Sequence, residues 1–321
     1  MISQRSRIIR GIVVPKLPMK ASIVICTYNR AKSLKRTLLG IAGMSVPPGL
    51  QWELLVVDNN SKDDTRGIVA EFEGKPGLNV KYIFERKQGI SYARNRGIAE
   101  ACGEIIAFTD DDIIVDRAWL KNIVVAFEEQ KSAACVGGKI IPIWERPRPG
   151  WFREEFSWYL GILDIGDGHI ELAEPRLWGG NFAVKASVFR EHGGFNTASG
   201  RMADKLYSGE ETEFMQMLLD RGERIFYYPG IIVHHCIPRD HIKKSYFRKR
   251  IYDRGEQIAF QTGDLDGKWF ANEMCLLAKK LRSYLWVQVA MPRYAFGEQL
   301  NLIGNFGFIL GRIKCRGKRA A

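Results

Sequence analysis

Glu104 to Asp112 reads EIIAFTDDD, an apolar run that ends abruptly in three adjacent carboxylates. A strand buried on both faces carries continuous apolar residues rather than strict alternation, so a strand is predicted over Glu104 to Thr109. Just upstream, Ser91 to Ala101 has helical spacing, and Val80 to Phe84 reads as another strand. Further back, Leu54 to Asp58 (LLVVD) and Ser22 to Thr27 (SIVICT) are two more short, β-branched runs. Helical stretches near Lys32 to Gly43 and roughly Asp63 to Phe72 separate them, with Pro47-Pro48-Gly49 and Gly74-Lys75-Pro76-Gly77 as breakers. Alternation of this kind predicts an α/β fold in which crossover helices join parallel strands. Ligands of such sheets bind at the carboxyl ends of the strands, where Thr27, Asp58 and Asp110 are each expected.

Downstream of Gly138 the pattern changes. Trp144 to Tyr159 (WERPRPGWFREEFSWY) is rich in aromatics and proline and predicts a loop or lid. It offers either a sugar-stacking wall or a cover for the core, since aromatics bury large areas wherever they sit. A strand is predicted over Asn181 to Val184, a helix from Glu210 to Asp220, and two short strands at Arg224 to Tyr228 and Ile231 to His234. From about Arg239 the chain reads as helical and basic.

The chain has 321 residues, 46% hydrophobic and 26% charged, as in an ordinary globular protein. No run approaches the roughly 18 uninterrupted apolar residues of a membrane-spanning helix. The basic N-terminus is interrupted by Arg10 and Pro15 and makes a poor secretory signal, so a cytoplasmic location is expected. Six cysteines are scattered without a Cys-x-x-Cys pair, which argues against a zinc ribbon or a disulfide framework and predicts buried free thiols. The net charge of +12 is unevenly placed. Residues 1–52 hold nine basic residues and no acid, residues 239–321 hold seventeen basic and seven acidic, and the middle is net −7. An acidic centre between basic ends suits a metal site in a protein that meets anions elsewhere.

Three adjacent carboxylates at Asp110, Asp111 and Asp112 repel one another unless a cation or hydrogen bonds compensate. Oxygen ligands suit Mg²⁺ or Mn²⁺, with Mg²⁺ often bridging carboxylates to substrate phosphates. A solvated turn or a helix N-terminus would also attract such charge. Ser208 to Glu213 (SGEETE) opens a helix, where acids are ordinary; alternatively, one carboxylate there serves as a general base. His234-His235 ends an apolar strand, and only one of two neighbours on a strand can point into a given site.

Together these segments resemble the family 2 glycosyltransferases, inverting enzymes of the GT-A fold. The resemblance spans about Ala21 to Gly255, with motifs in order: SIVICTYNR (22–30), VVDNNS (56–61), GISYARNRGIAEACG (89–103), the D-x-D motif at Asp110 to Asp112, WGGN (178–181) and GEETE (209–213). It implies a Rossmann-like, mostly parallel central sheet flanked by helices, with a C-terminal helical appendage. It also implies a basic extension over 1–20, a catalytic domain over 21–238 (nucleotide-binding half about 21–138, acceptor half about 139–238) and a basic helical region over 239–321. Thr27, Tyr28, Arg30, Asp58, Arg94, Asp110 and Asp111 would hold the nucleotide-sugar donor, Asp58 at the base and Asp110 near the ribose. Asp112 would bind Mn²⁺ or Mg²⁺ on the diphosphate, with Asp110 and His235 as further candidate ligands. Trp178, Gly180, Asn181 and Glu210 would contact the acceptor. Glu211 would be the base, although the family usually has aspartate there, which leaves Glu210, Glu211 and Glu213 as alternatives.

The basic clusters at Lys243 to Arg250 and Lys279 to Arg282 flank apolar stretches, a composition that suits an anionic membrane face. Many relatives act on lipid-linked acceptors in bacterial surface-polysaccharide synthesis, which implies a glycan or lipid-linked acceptor and a peripheral position at the inner face of the cell membrane. Nucleic acid is not expected as a partner, because no recognition motif accompanies the charge. Two other readings stand: a sugar-nucleotide-forming nucleotidyltransferase, disfavoured because CTYNR (26–30) lacks a glycine-rich phosphate loop, and an inactive sugar-nucleotide-binding scaffold.

Overall fold

A computed structural model describes residues 8–9, 12–13, 20–200, 208–262 and 269–319. Most of the expected extension at 1–20 lies outside the described residues; within it, β1 (Ile8–Ile9) and β2 (Ile12–Val13) pair antiparallel. By internal contacts the chain forms two compact units. The first comprises Met1–Ile143, Gly161–Ala198 and Glu210–Cys236, and the second Trp144–Leu160, Ser199–Gly209 and Ile237–Ala321.

The first unit is built on one mixed sheet. Its parallel half contains β3 (Lys20–Thr27), β4 (Gln51–Asp58), β5 (Val80–Phe84) and β6 (Ile105–Asp110), in the order β5-β4-β3-β6. The strand order reverses between β3 and β6, the switch point at which such sheets open a ligand crevice. Register puts Thr27 opposite Asp58 and Cys26 opposite Asp110, so the three strand ends predicted to carry function lie side by side. Helices α1 (Ala31–Ala42), α2 (Thr65–Ala70) and α3 (Ile90–Glu100) follow β3, β4 and β5. Leu34, Leu38 and Ile41 recur on one face of α1 and are fully buried, each worth about 1.5–3 kcal/mol of apolar burial. Helix α3 lies close on the sheet through Gly97, where a Cβ would sit 2.5 Å from Val24 Cγ1.

Beyond β6 the sheet continues through β10 (Phe182–Lys185), β8 (Ala133–Trp144), β11 (Arg224–Ile237) and β7 (Ile113–Val115), and β9 (Ile170–Glu171) pairs with β11. Strand β10 runs antiparallel to both neighbours. Helices α4 (Trp119–Glu129), α5 (Ala186–His192) and α6 (Glu210–Asp220) complete this unit. The two short strands expected around Pro229 are one long strand, β11. Asn122 Nδ2 holds the Gly230 carbonyl at 2.6 Å, and Gly138 leaves room for the Tyr228 and Ile231 carbonyls.

The second unit is helical: α7 (Lys244–Gln261), α8 (Trp269–Ala290) and α9 (Ala295–Arg319). Helices α7 and α9 meet through Gly255, Gly304, Gly307 and Gly311, where any Cβ would strike the facing helix. Arg312 is buried and donates to the Ala259 and Thr262 carbonyls, closing the C-terminal end of α7. Trp151, Phe152, Phe156, Phe247 and Phe296 form an aromatic core within this unit, with ring centroids 5.1–6.4 Å apart. Phe152 and Phe156 of the aromatic segment are buried in this core, a 3-10 helix spans Glu154–Leu160, and Trp158 stays 47% exposed. All six cysteines are free; Cys26, Cys135 and Cys236 are buried as expected, whereas Cys102 and Cys275 are exposed.

Candidate active site

The turns after β3 and β4 are latched to each other by their asparagines. Asn29 and Asn60 adopt positive φ of 53° and 67°, a region asparagine tolerates better than most residues. The Asn29 N–H donates to Ser61 Oγ at 2.9 Å, and Lys62 N–H donates to Asn29 Oδ1 at 2.7 Å. Asp58 is buried beneath them, one oxygen accepting from Ser61 N–H at 2.8 Å and the other from the Tyr82 hydroxyl at 2.7 Å. Both oxygens of this expected base-binding residue are thus already engaged within the protein, so its first task is to hold the turn. Asn59, which the sequence reading passed over, braces the opposite wall. It donates to the Glu85 and Lys87 carbonyls and accepts from Gly89 N–H at 2.8 Å.

The three aspartates separate into different environments. Asp111 is buried, accepts from Thr27 Oγ1 at 2.7 Å and from Arg30 Nη1 at 3.0 Å, and is raised to about 6 by burial against the pull of Arg30. These bonds tie Asp111 to the end of β3 and to Arg30. Thr27 is spent on the same bond. Asp112 Oδ2 accepts from Arg30 Nη1 at 2.6 Å, and its Oδ1 lies 3.5 Å from His235 Nε2. Burial works against its charge, but His235 and Arg30 outweigh that and hold its carboxyl well below the usual carboxylate range. Asp110 keeps 41% of its side chain exposed, beside Arg94 Nη2 at 3.6 Å. Tyr28 is half-buried at the end of β3.

The neighbours His234 and His235 alternate across β11, and register sets His235 opposite Ile113 and hence beside Asp112. A carboxylate and an imidazole this close suit one divalent cation, because two ligands about 2.1 Å from a common ion stand about 3 Å apart. A carboxylate and an imidazole, as at Asp112 and His235, are donor types that divalent cations accept. Among the described residues, Glu191, His192 and Glu223 are the group of three ligand side chains close enough to share an ion. There the ring of His192 is tied at both nitrogens, to Glu223 and Arg221.

On the other wall, Arg94 of α3 is buried and its Nη1 donates to Glu210 Oε1. Glu213 is exposed and accepts from Asn196 Nδ2 at 2.7 Å. Glu211 is buried with no partner for its Oε2, and is raised to about 7 by burial and by the Glu210 charge, against Arg94. Of the three candidate glutamates, Glu210 pairs with Arg94 through one oxygen and, like Glu211, has a buried Oε2 without a partner, while Glu213 faces solvent. Trp178 is half-buried with an indole N–H that finds no partner, and Gly180 lies against Asp110 Oδ2. Asn181, expected in the acceptor floor, is fully buried. It accepts from Trp119 Nε1 at 2.8 Å and donates to the Lys139 and Ile231 carbonyls at 2.9 Å, so it braces the sheet instead.

Gly179, the first glycine of WGGN, lies where only a glycine fits beside Arg94. A Cβ there would sit 2.3 Å from Arg94 Nη2. Gly179→Ala is expected to displace Arg94, weaken its buried pair with Glu210 and destabilise the fold by about 1–3 kcal/mol. Thermal unfolding and kcat/KM, both lowered, check this.

The comparisons with known proteins agree with this geometry. The model of the family described as Glycosyl transferase family 2 matches residues 22–193. Among curated proteins, the chain is 31% identical over 220 residues to the glucosyl-dolichyl phosphate glucuronosyltransferase of Haloferax volcanii, covering 68% of this chain and 69% of that one. It is 25% identical to the succinoglycan biosynthesis protein ExoM of Rhizobium meliloti, over 76% and 75% of the two chains. Among solved structures, a mannosyltransferase from Pyrobaculum calidifontis in complex with GDP-Man and Mn²⁺ superposes with a TM-score of 0.59 at 19% identity, over 92% of this chain and 86% of that one, a likeness of fold. The matched strands, the carboxylate cluster at their ends and the 31% identity over two-thirds of both chains lead to one statement: this protein belongs to glycosyl transferase family 2 and is a glycosyltransferase.

Proposed function

We propose that the protein is a metal-dependent, inverting glycosyltransferase that moves a sugar from a nucleotide donor, a UDP-sugar first among them, to a hydroxyl of a glycan or lipid-linked acceptor in cell-surface polysaccharide synthesis. The observation that carries the reading is Glu211, a buried carboxyl with an unpartnered oxygen in the same unit as the Asp110–Asp112 cluster. The relatives support the finer terms by their names: one acts on glucosyl-dolichyl phosphate, another belongs to succinoglycan biosynthesis. Two solved neighbours hold Mn²⁺, one with GDP-Man and one with UDP and GalNAc.

The residues divide the work as follows. Tyr28, Arg30 and Asp110 bind the donor, Arg30 meeting the diphosphate charge and Asp110 the ribose. Asp112 and His235 would hold a cation, and Mn²⁺ or Mg²⁺ there would supply Lewis-acid neutralisation of the charge on a leaving nucleoside diphosphate. Trp178 N–H offers a hydrogen bond to the acceptor, and Arg94 fixes Glu210 so that its charge keeps Glu211 basic. Glu211 takes the acceptor hydroxyl proton as that oxygen attacks the anomeric carbon. The bond from that carbon to the diphosphate oxygen breaks, its electron pair leaves with the nucleotide, and the sugar inverts.

Because Glu211 must be ionised to act, kcat should rise about tenfold per pH unit below about 7 and level off above it. A profile from pH 5.5 to 8.5 reads this limb. The reading itself is tested by NMR of the product: an anomeric configuration opposite to that of the donor supports it, and retention overturns it.

A further inference from the structure

Within the helical unit, a cleft of about 620 Å³ is lined by Arg153, Lys244, Arg248 and Arg293 together with Trp151 and Tyr294. No carboxylate belongs to its lining. Arg153 has a counter-ion, Glu155 Oε2 at 2.6 Å. Among the described residues, Lys244 and Arg293 pair with no carboxylate, and Arg248 donates to the neutral Gln299 Oε1 at 3.0–3.1 Å. Instead the cations rest on rings: Lys244 lies 5.1 Å from the Phe296 centroid and Arg293 4.9 Å from that of Tyr294. Three cations converging without counter-ions repel one another, and a multivalent anion relieves that repulsion. Guanidinium groups recognise phosphate oxygens in particular, through their fork of N–H donors.

A second observation identifies what carries the phosphate. Phe270, Met274, Leu281, Leu285 and Val289 recur at helical spacing along one face of α8 and are 40–90% exposed, in round terms. The same helix supplies Tyr284 and Gln288 to the cleft, so the apolar stripe runs beside its wall. Among the described residues no helix is long and apolar enough to cross a membrane. A helix with a solvent-facing apolar stripe and flanking cations lies in the plane of a bilayer interface rather than through it.

We propose that this cleft binds the phosphate of an anionic membrane phospholipid while the exposed stripe of α8 enters the acyl boundary. This rests on the reading of the C-terminal region as membrane-facing, and it names the site at which that contact is made. Charge complementarity supports it: residues 239–321 carry a net +10. Each cation near an anionic surface contributes about 1 kcal/mol, so three in one cleft amount to about 100-fold in affinity.

The test is co-sedimentation of the full chain with vesicles of phosphatidylcholine alone or with 30% phosphatidylglycerol. Two variants are compared, each with three charges removed and with circular dichroism to confirm folding. One is Lys244→Gln/Arg248→Gln/Arg293→Gln in the cleft, and the other is Lys279→Gln/Lys280→Gln/Arg282→Gln on α8 outside it. Wild type is expected to bind only the anionic vesicles; both triple variants bind more weakly, and the cleft variant is about tenfold weaker than the control because its groups also bond the phosphate directly. Leu285→Glu/Val289→Glu, at exposed positions, should also lose binding while folding normally. Equal losses in the two triple variants would overturn the cleft and leave the membrane reading standing. No vesicle binding by wild type would overturn both. Calorimetric binding of inorganic phosphate in the cleft without vesicle binding would assign it to a soluble anion and overturn the lipid source.

Discussion

Replacing Glu211 by glutamine is expected to lower kcat by about 10²–10⁴-fold while leaving donor affinity nearly unchanged. Glutamine keeps the shape of the side chain and cannot accept the acceptor proton, so the loss should fall on the chemical step. The acidic limb near pH 7 should disappear with it. Stability provides an independent reading. Glu211 has a folded-state pKa raised from 4.5 to about 7, so the folded protein holds that proton more tightly than the unfolded chain. The stability this contributes is full below about 4.5 and is lost as pH rises through about 7. Glu211→Gln should therefore gain on wild type in thermal unfolding between pH 5 and 8, by up to about 3 kcal/mol. A variant that loses both activity and stability, with the same pH profile, would mean that Glu211 is a packing residue.

Asp112→Ala is expected to abolish the response to Mn²⁺ and reduce transfer by about 10³-fold, the equivalent of the several kcal/mol of charge stabilisation a cation supplies to a leaving diphosphate. The substitution removes one of two close donors and leaves His235 alone. It also frees Arg30 from one of its two carboxylates, while Asp111 retains the other bond. The strand-end anchor between Thr27 and Asp111 survives, so the protein should fold and the defect should be local. Mn²⁺ titration followed by electron paramagnetic resonance separates lost metal binding from lost folding. Asp111→Ala should behave in the opposite way, with stability falling along with activity, because that carboxylate holds the turn together.

The parallel half of the fold was legible because each strand is a continuous apolar run bounded by helical spacing and breakers, and β5 matches its expected bounds. Helix α6 also matches, since three acids in its first turn marked its start. The long β11 was not legible as one strand, because Pro229-Gly230 interrupts its apolar run; in the fold, Asn122 of α4 and the pairings with β7 and β9 hold the stretch extended. In the site, residue types singled out Asp112, His235 and Glu211, and the fold places all three in one unit. Sequence position alone did not separate carboxylates that face a ligand from those that hold the scaffold. Asp58, Asp111 and Asn181 are chemically suited to ligand contact, yet each also bonds partners 3 to 84 residues away inside the protein, and no local pattern reveals such bonds. The nearest sequence signal for Asn59 and Tyr82 is their place beside Asp58 and on the next strand. Family membership leaves the nucleotidyltransferase reading without support, and the presence of Asp112, His235 and an unpartnered Glu211 weighs against an inactive scaffold.

The most direct test of donor cleavage at this site is release of nucleoside diphosphate from a panel of UDP-, GDP- and dTDP-sugars, with Mn²⁺ or with chelator, beside the Asp112→Ala variant. The account predicts release from one donor that needs Mn²⁺ and is lost in the variant. Absence of both release and calorimetric binding across the whole panel, with the protein folded and Mn²⁺ present, would contradict it.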